Sequence, residues 1–246
     1  VLHFPILNSL TGRIITKEVD IFLKETGVIA VVDEDFPQWD TIYQKISQDK
    51  KNLKEVFGKG STFLLYYIFD QLVDSIFPLL EIMEKEIDKI DARILSDQAK
   101  NIINEASLLR RNIIYFQTMI RPELNLFSEL EKAKHPLLSK KDLIYLNNIS
   151  DHFKKIWDRI EDAKELIDNL STTFESYFSF KTNETIKVLT MFSVVMMPLT
   201  LLSGIYGMNL DFMPLSDHPM ALIFITLFML GMVISMFAVF RLKKWI

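Results

Sequence analysis

VLTMFSVVMMPLTLLSGIYGMNL, residues 188–210, runs for 23 residues without a charged side chain and carries two glycines and an amide at its end. After a short gap, Pro219 to Phe240 adds 22 more residues free of charge. Each stretch, coiled as a helix, is long enough to cross roughly 30 Å of hydrocarbon. Two buried core helices are the competing reading, but nothing else in the chain is large enough to bury both. The pair reads as a membrane hairpin. Lys181 and Lys187 precede it, Arg241, Lys243 and Lys244 follow it, and the loop between holds neither Lys nor Arg. Basic residues favour the cytoplasmic side. We therefore expect an integral protein of the cell (inner or plasma) membrane, with two spans and both termini cytoplasmic.

The remainder has the opposite character. The 246 residues include 28 basic and 32 acidic side chains, a net charge of -4, yet only Asp211 and Asp217 of these lie between Val188 and Phe240. The first 187 residues read as soluble, charged and helix-rich. The absence of Cys excludes disulfides and thiolate zinc sites. Mild net acidity argues against nucleic acid as a partner. No signal peptide is visible, and Val1 opens inside what reads as a strand, so a preceding N-terminal portion is expected.

"VLHFPIL", "IITKEVDIFL" and "GVIAVVDE" are short, rich in β-branched and aromatic residues, and separated by Thr11-Gly12 and Glu25-Thr26-Gly27; they predict a small sheet. Asp35 with Pro37 marks a helix start over "PQWDTIYQKI". "FGKGSTFLL" (57–65) carries a Gly-Lys pair without the spacing of a phosphate loop; it reads as a turn with Ser61 as N-cap. Met83, Ile87, Ile90 and Ile94 then form a narrow apolar stripe among Glu84, Glu86, Asp88 and Asp91, which reads as a solvated acidic face, with ion attraction the lesser alternative. Gln98 to Glu131 predicts a further helix with a kink at Pro122.

Ser139 with Asp142 resembles a capping box. After it, Leu146, Ile149, Phe153, Ile156, Ile160, Ala163, Ile167, Leu170, Phe174 and Tyr177 alternate by three and four without a break. That is the period of helices that pack along their length. Pro198 lies in apolar sequence, where proline is tolerated, so one helix from about 140 to 206 would be on the order of 100 Å long. No single copy could cover all of it, and self-association is expected. The domain plan is a partial cytoplasmic α/β domain (1–60), a long-helix stalk (61–185), a first transmembrane helix (186–208), an outer loop (209–218), a second transmembrane helix (219–240) and a basic tail (241–246).

A two-span hairpin encloses nothing, so conduction would need several copies around an axis. The first span carries Thr190, Ser193, Thr200 and Ser203 besides Asn209, the second only Thr226 and Ser235. Membrane hydroxyls often bond back to their own backbone, so this asymmetry favours the first span weakly; the heptad seam leading into it adds weight. Gly204 and Gly207 allow close backbone approach, and Asn209 can offer an amide oxygen to a hard cation that keeps its water. Asp211 and Asp217 would attract cations to the loop. Asn209 as a plain helix C-cap is the equal alternative.

"YGMN" (206–209) after "KVLTMFSVVMMPLTLLSGI" resembles the CorA family of divalent-cation channels, whose signature is Gly-Met-Asn at the end of the first of two C-terminal spans. "FLLYYIFDQLVDSIFPLLEIMEKEIDKID", "KTNETIKVLT" and "RLKKWI" resemble that family's first long helix, its approach to the membrane and its basic tail. The resemblance implies a homopentameric funnel: a cytoplasmic α/β domain, long coiled-coil stalk helices and an inner ring of first spans within an outer ring of second spans. It implies a selectivity filter at Tyr206, Gly207, Met208 and Asn209. It also implies a pore lining and gate at Thr200, Met197, Ser193, Leu189 and Asn183.

Departures from the family pattern accompany it. Asn148, and by a looser alignment Asn8, stand where family members carry an acidic pair that senses cytoplasmic Mg2+. Thr172 stands where some carry a pore-facing Asp, and Leu215 where many carry Glu. Asn8 and Asn148 are thus a candidate degenerate regulatory metal site. The expected function is passive Mg2+ uptake, with Co2+ or Ni2+ as further cargo. A zinc-transporting branch and a membrane-anchored coiled-coil sensor without flux are the alternatives. No resident cofactor is expected, and the chain shows no nucleophile–base set, phosphate loop or metal-ligand cluster of an enzyme.

Overall fold

The computed structural model describes residues 1–48, 54, 56–94, 99–132, 140–208 and 219–245. They form two compact units, Val1–Phe174 and Glu175–Ile246.

The first unit opens with an antiparallel meander of β1 (Leu2–Asn8), β2 (Arg13–Lys24) and β3 (Gly27–Val32) in the order β1-β2-β3. Its register runs from Leu2 opposite Val19 to Asn8 opposite Arg13, then from Val19 opposite Val32 to Lys24 opposite Gly27. Local chemistry sets the first turn. Asn8 Oδ1 accepts the N–H groups of Leu10 and Thr11 at 3.0 and 3.1 Å, and Gly12, at φ 65, donates to Asn8 O at 2.8 Å. A left-handed backbone of this kind is what glycine permits without a Cβ penalty.

Among the described residues this unit includes α1 (Pro37–Gln48), α2 (Ser61–Asp74), α3 (Phe77–Arg93), α4 (Ala99–Leu130) and the first half of α5 (Lys140–Tyr206). The helices begin where turn chemistry allows, with one difference from expectation. Gly60, at φ 94, is the N-cap of α2 and makes no side-chain cap bond. Ser61 is already the first helical residue, and its Oγ donates to Glu25 O at 3.1 Å, pinning the helix start to the β2–β3 turn. α4 continues through Pro122 and α5 through Pro198.

α4 packs on β1 and β2, and α2 on β2, β3 and α1. α4 reaches the strands at three- and four-residue intervals. Asn112 Oδ1 accepts from Ile14 N at 3.2 Å, Tyr115 and Met119 meet Thr16, and Glu123 Oε1 accepts from His3 N at 2.8 Å. The α5 seam from Leu146 through Ile167 is buried, in one cluster with Leu72 and Val73 of α2, Leu80 and Met83 of α3, and Ile113, Phe116 and Phe127 of α4. Phe127 stacks on Phe153 at 5.0 Å and meets Phe69 edge-on at 5.1 Å. The seam is therefore filled by the chain's own helices as far as Ile167, not by another copy. Beyond it, Leu170 packs partly against the same cluster, and Phe174 and Tyr177 are partly covered.

Glu123 is the costly exception in this core. It is 3% exposed, and burial pushes its carboxyl up to about 7, a rise held back by the His3 N–H and the nearby His3 ring. A raised acid keeps in the folded state a proton that the unfolded chain has released. Stability is therefore highest below the ordinary carboxylate range and falls as pH climbs toward 7, by up to about 3 kcal/mol. Glu123→Gln keeps the acceptor for His3 N and removes the charge. Urea denaturation at pH 5 and pH 8 should show that loss in the unsubstituted chain and little of it in the variant.

The second unit holds the rest of α5 and α6 (Ala221–Leu242). α5 is one helix of 67 residues, on the order of 100 Å at 1.5 Å per residue. After α6 the chain turns at Lys244, φ 55, and Trp245 stacks on Phe240 at 5.8 Å with its N–H on Phe240 O at 2.9 Å.

Candidate functional site

Three helical stretches are long and apolar enough to cross a membrane: Ser61–Arg93, Asp142–Tyr206 and Ala221–Leu242. Half of the apolar window of the first is buried within the protein, as befits core helices α2 and α3; none of the windows of the other two is. Within the second unit, α5 between Lys187 and Tyr206 has one partly covered face: Lys187, Met191, Val195, Pro198, Leu202 and Tyr206. Leu202 and Tyr206 line a cavity of ≈ 460 Å³ with Phe224, Ile225 and Phe228 of α6. At about 100° per residue, Leu189, Ser193, Met197, Thr200 and Gly204 fall on the opposite face. All five are exposed, Leu189 by 64% and Met197 by 72%.

The sequence-derived pore residues Leu189, Ser193, Met197 and Thr200 are thus brought into one line along α5. Asn183 lies near the edge of that line and is exposed. Tyr206 sits apart from them, on the side that meets α6. The hydroxyls of both helices bond back to their own backbones. Ser193 Oγ donates to Leu189 O at 2.9 Å, Thr200 Oγ1 to Met196 O at 2.8 Å and Ser203 Oγ to Thr200 O at 3.1 Å. In α6, Thr226 donates to Leu222 O at 2.8 Å and Ser235 to Met232 O at 2.9 Å. Counting hydroxyls therefore does not separate the helices, and Thr226 and Ser235 are exposed as Ser193 and Thr200 are.

The two glycines do different work. A Cβ on Gly207 would sit 3.1 Å from Ser203 O, a tight contact at the end of α5, where Gly207 N–H meets Ser203 O at 2.9 Å and Met208 N–H meets Ile205 O at 3.2 Å. Gly204 has nothing within 4 Å of such a Cβ; its bare backbone faces open space on the exposed line. Asn209, Asp211, Leu215 and Asp217 lie outside the described residues, as does Ser139 of the capping pair.

Asn8 and Asn148 are engaged separately. Asn8 spends its oxygen on the β1–β2 turn. Asn148 Nδ2 donates to Tyr66 Oη at 3.2 Å and lies 3.5 Å from Asp70 Oδ1. Asp70 and Asp74 both belong to α2, Asp70 beside Asn148 and Asp74 beside His152. Asp74 is raised above its ordinary range by burial and then by Asp70, and its Oδ1 lies 3.4 Å from His152 Nδ1. Sequence reasoning passed over Asp70 and Asp74, although their four-residue spacing places them on one helix face. Among the described residues no three His, Asp or Glu side chains are grouped to hold a metal. In the acidic run, Glu84 is forked to Arg159 at 2.8 and 2.6 Å and Glu86 is paired with Lys89, so two of those charges are neutralised locally.

A family model described as CorA-like Mg2+ transporter protein matches residues 1–244. The cobalt/magnesium transport protein CorA of Thermotoga maritima is 29% identical over 231 residues, 94% of this chain and 65% of that protein. The putative metal ion transporter YfjQ of Bacillus subtilis is 27% identical over 244 residues, 99% of this chain and 75% of its own length. The complete structure of the CorA magnesium transporter from Methanocaldococcus jannaschii superposes with a TM-score of 0.87 at 20% identity, covering 100% of this chain and 76% of that one. The zinc transport protein ZntB of Photorhabdus laumondii matches over less, 20% identical across 74% of this chain and 55% of its length. The chain thus spans between 65% and 76% of the first three proteins.

Proposed function

The chain belongs to the CorA-like Mg2+ transporter family, and on that premise we propose that copies of it assemble around an axis to conduct Mg2+ across a membrane. CorA-family proteins are transporters and not enzymes. The observation that carries the proposal is the exposed line on α5. Leu189, Ser193, Met197, Thr200 and Gly204 are exposed on the face turned away from α6, and the hydroxyls of Ser193 and Thr200 bond only back to their own helix among the described residues. An apolar and hydroxyl-bearing line of this kind is what an inner ring of helices would present to a central path, with α6 outside it. Five copies are the number the family resemblance implies. We assign 186–208 and 219–240 as the two spans, with basic flanks and both ends in the cytoplasm.

In this reading Asn209 forms a collar of amide oxygens at the outer mouth, on a backbone narrowed by Gly207. Met208 shapes that mouth, and Asp211 and Asp217 raise the cation concentration before it. Mg2+ sheds water reluctantly, so neutral oxygens that touch its waters suit it better than a ring of ligands that would strip them. The membrane potential supplies the drive, about 2.3 kcal/mol per unit charge per 100 mV, and the ion carries two charges. Asn148 and Asn8 would leave cytoplasmic sensing weak. The relatives named for magnesium and cobalt, and the lack of soft thiolate ligands, support hard cations over zinc.

The test is uptake of Mg2+, Co2+ and Zn2+ by liposomes carrying the protein at an imposed negative internal potential. Mg2+ and Co2+ should enter and Zn2+ should lag. Zinc-selective uptake would move the chain to the zinc branch, and absence of any flux would leave it an anchored scaffold.

A further inference from the structure

We infer that Ser193 keeps the apolar part of the permeation path wet, and so sets how easily a hydrated divalent cation passes it; this rests on the transport reading above. Leu189, Ser193 and Met197 follow one another at four-residue steps, each about 6 Å along the axis from the next. Leu189 and Met197 are 64% and 72% exposed on the line turned from α6, and Ser193 lies exposed between them. In an assembly around that line the two apolar side chains become collars roughly 12 Å apart. Collars of this kind close a pore by expelling water. A continuous apolar wall between them would make one long dry segment.

Ser193 interrupts that wall with a defined chemistry. Its only hydroxyl hydrogen is spent on Leu189 O, at 2.9 Å. What remains is the oxygen's accepting capacity, directed outward. A hydrated cation presents the hydrogens of its waters outward, so an acceptor-only ring matches it, whereas a free donor would oppose it. Thr200, with its hydrogen on Met196 O at 2.8 Å, repeats the arrangement just past Met197. The Met197 collar therefore has an acceptor ring on either side, and the dry segment is divided into two short ones.

The experiment compares Mg2+ influx into liposomes carrying the full chain, read by an entrapped indicator, for the unsubstituted protein, Ser193→Ala, Ser193→Val and Ser193→Thr. Removing a hydroxyl that hydrates a confined site should slow influx by roughly tenfold or more in the Ala and Val variants. Ser193→Thr restores the oxygen with one extra methyl and should run close to the unsubstituted rate. Equal influx from Ser193→Ala overturns the inference and leaves the transport reading intact. A Thr variant as slow as Ala also overturns it, since side-chain volume and not the hydroxyl would then govern. No influx from the unsubstituted protein overturns the transport reading, and this inference with it.

Discussion

Liposomes carrying Asn209→Ala should take up Mg2+ at least roughly tenfold, and up to about a hundredfold, more slowly than those carrying the unsubstituted chain. The magnitude follows from the contact removed. A hydrogen bond between a neutral group and a charged one is worth about 1.5–3 kcal/mol, and the first contact of an incoming hydrated ion is of that kind. Loss from every copy at once compounds the effect. Uptake by the variant at the unsubstituted rate would remove Asn209 from the filter and return it to the plain role of a helix cap. The measurement is initial rate of indicator response at matched protein density.

The second large effect concerns stability. Phe153 is fully buried, stacked on Phe127 and set in the cluster where α2, α4 and α5 meet. Phe153→Ala should cost about 3–5 kcal/mol, because the transfer energy of the ring is lost and the rigid walls around it leave a cavity. Chemical denaturation followed by circular dichroism measures it. Were the seam packed only against other copies, the loss would vary with protein concentration. An intrachain core predicts a loss independent of concentration. A concentration-dependent result would contradict an intrachain core.

Arg159 and Glu84 show how such a core is kept in register. Their forked pair, at 2.8 and 2.6 Å, joins α5 to α3 beside the buried stripe, and the guanidinium also lies 5.9 Å from the Phe77 ring. Neither residue stands out in the sequence, where each is one charge among many on a polar helix face. The same holds for Arg93 with Glu105 at 2.7 Å and Arg110 with Asp168 at 2.9 Å. Pairs across helices are set by the crossing of elements far apart in the chain, which no local window contains.

Read alone, the chain settles the three strands, their two turns, the helices and the two charge-free stretches, because each depends on short-range properties: alternation or helical period, turn residues such as Gly12, and unbroken apolar length. It also picks out Leu189, Met197 and Thr200, though only through resemblance to the family. Only the tertiary structure decides what each face meets. It turns the long seam inward as far as Ile167, sends Tyr206 toward α6 while Ser193 looks away, makes Asn8 a turn residue, and places Asp70 beside Asn148 and Asp74 beside His152. The physical reason is that an apolar or polar stripe specifies that a partner is needed, whereas its identity comes from the simultaneous packing of helices distant in sequence.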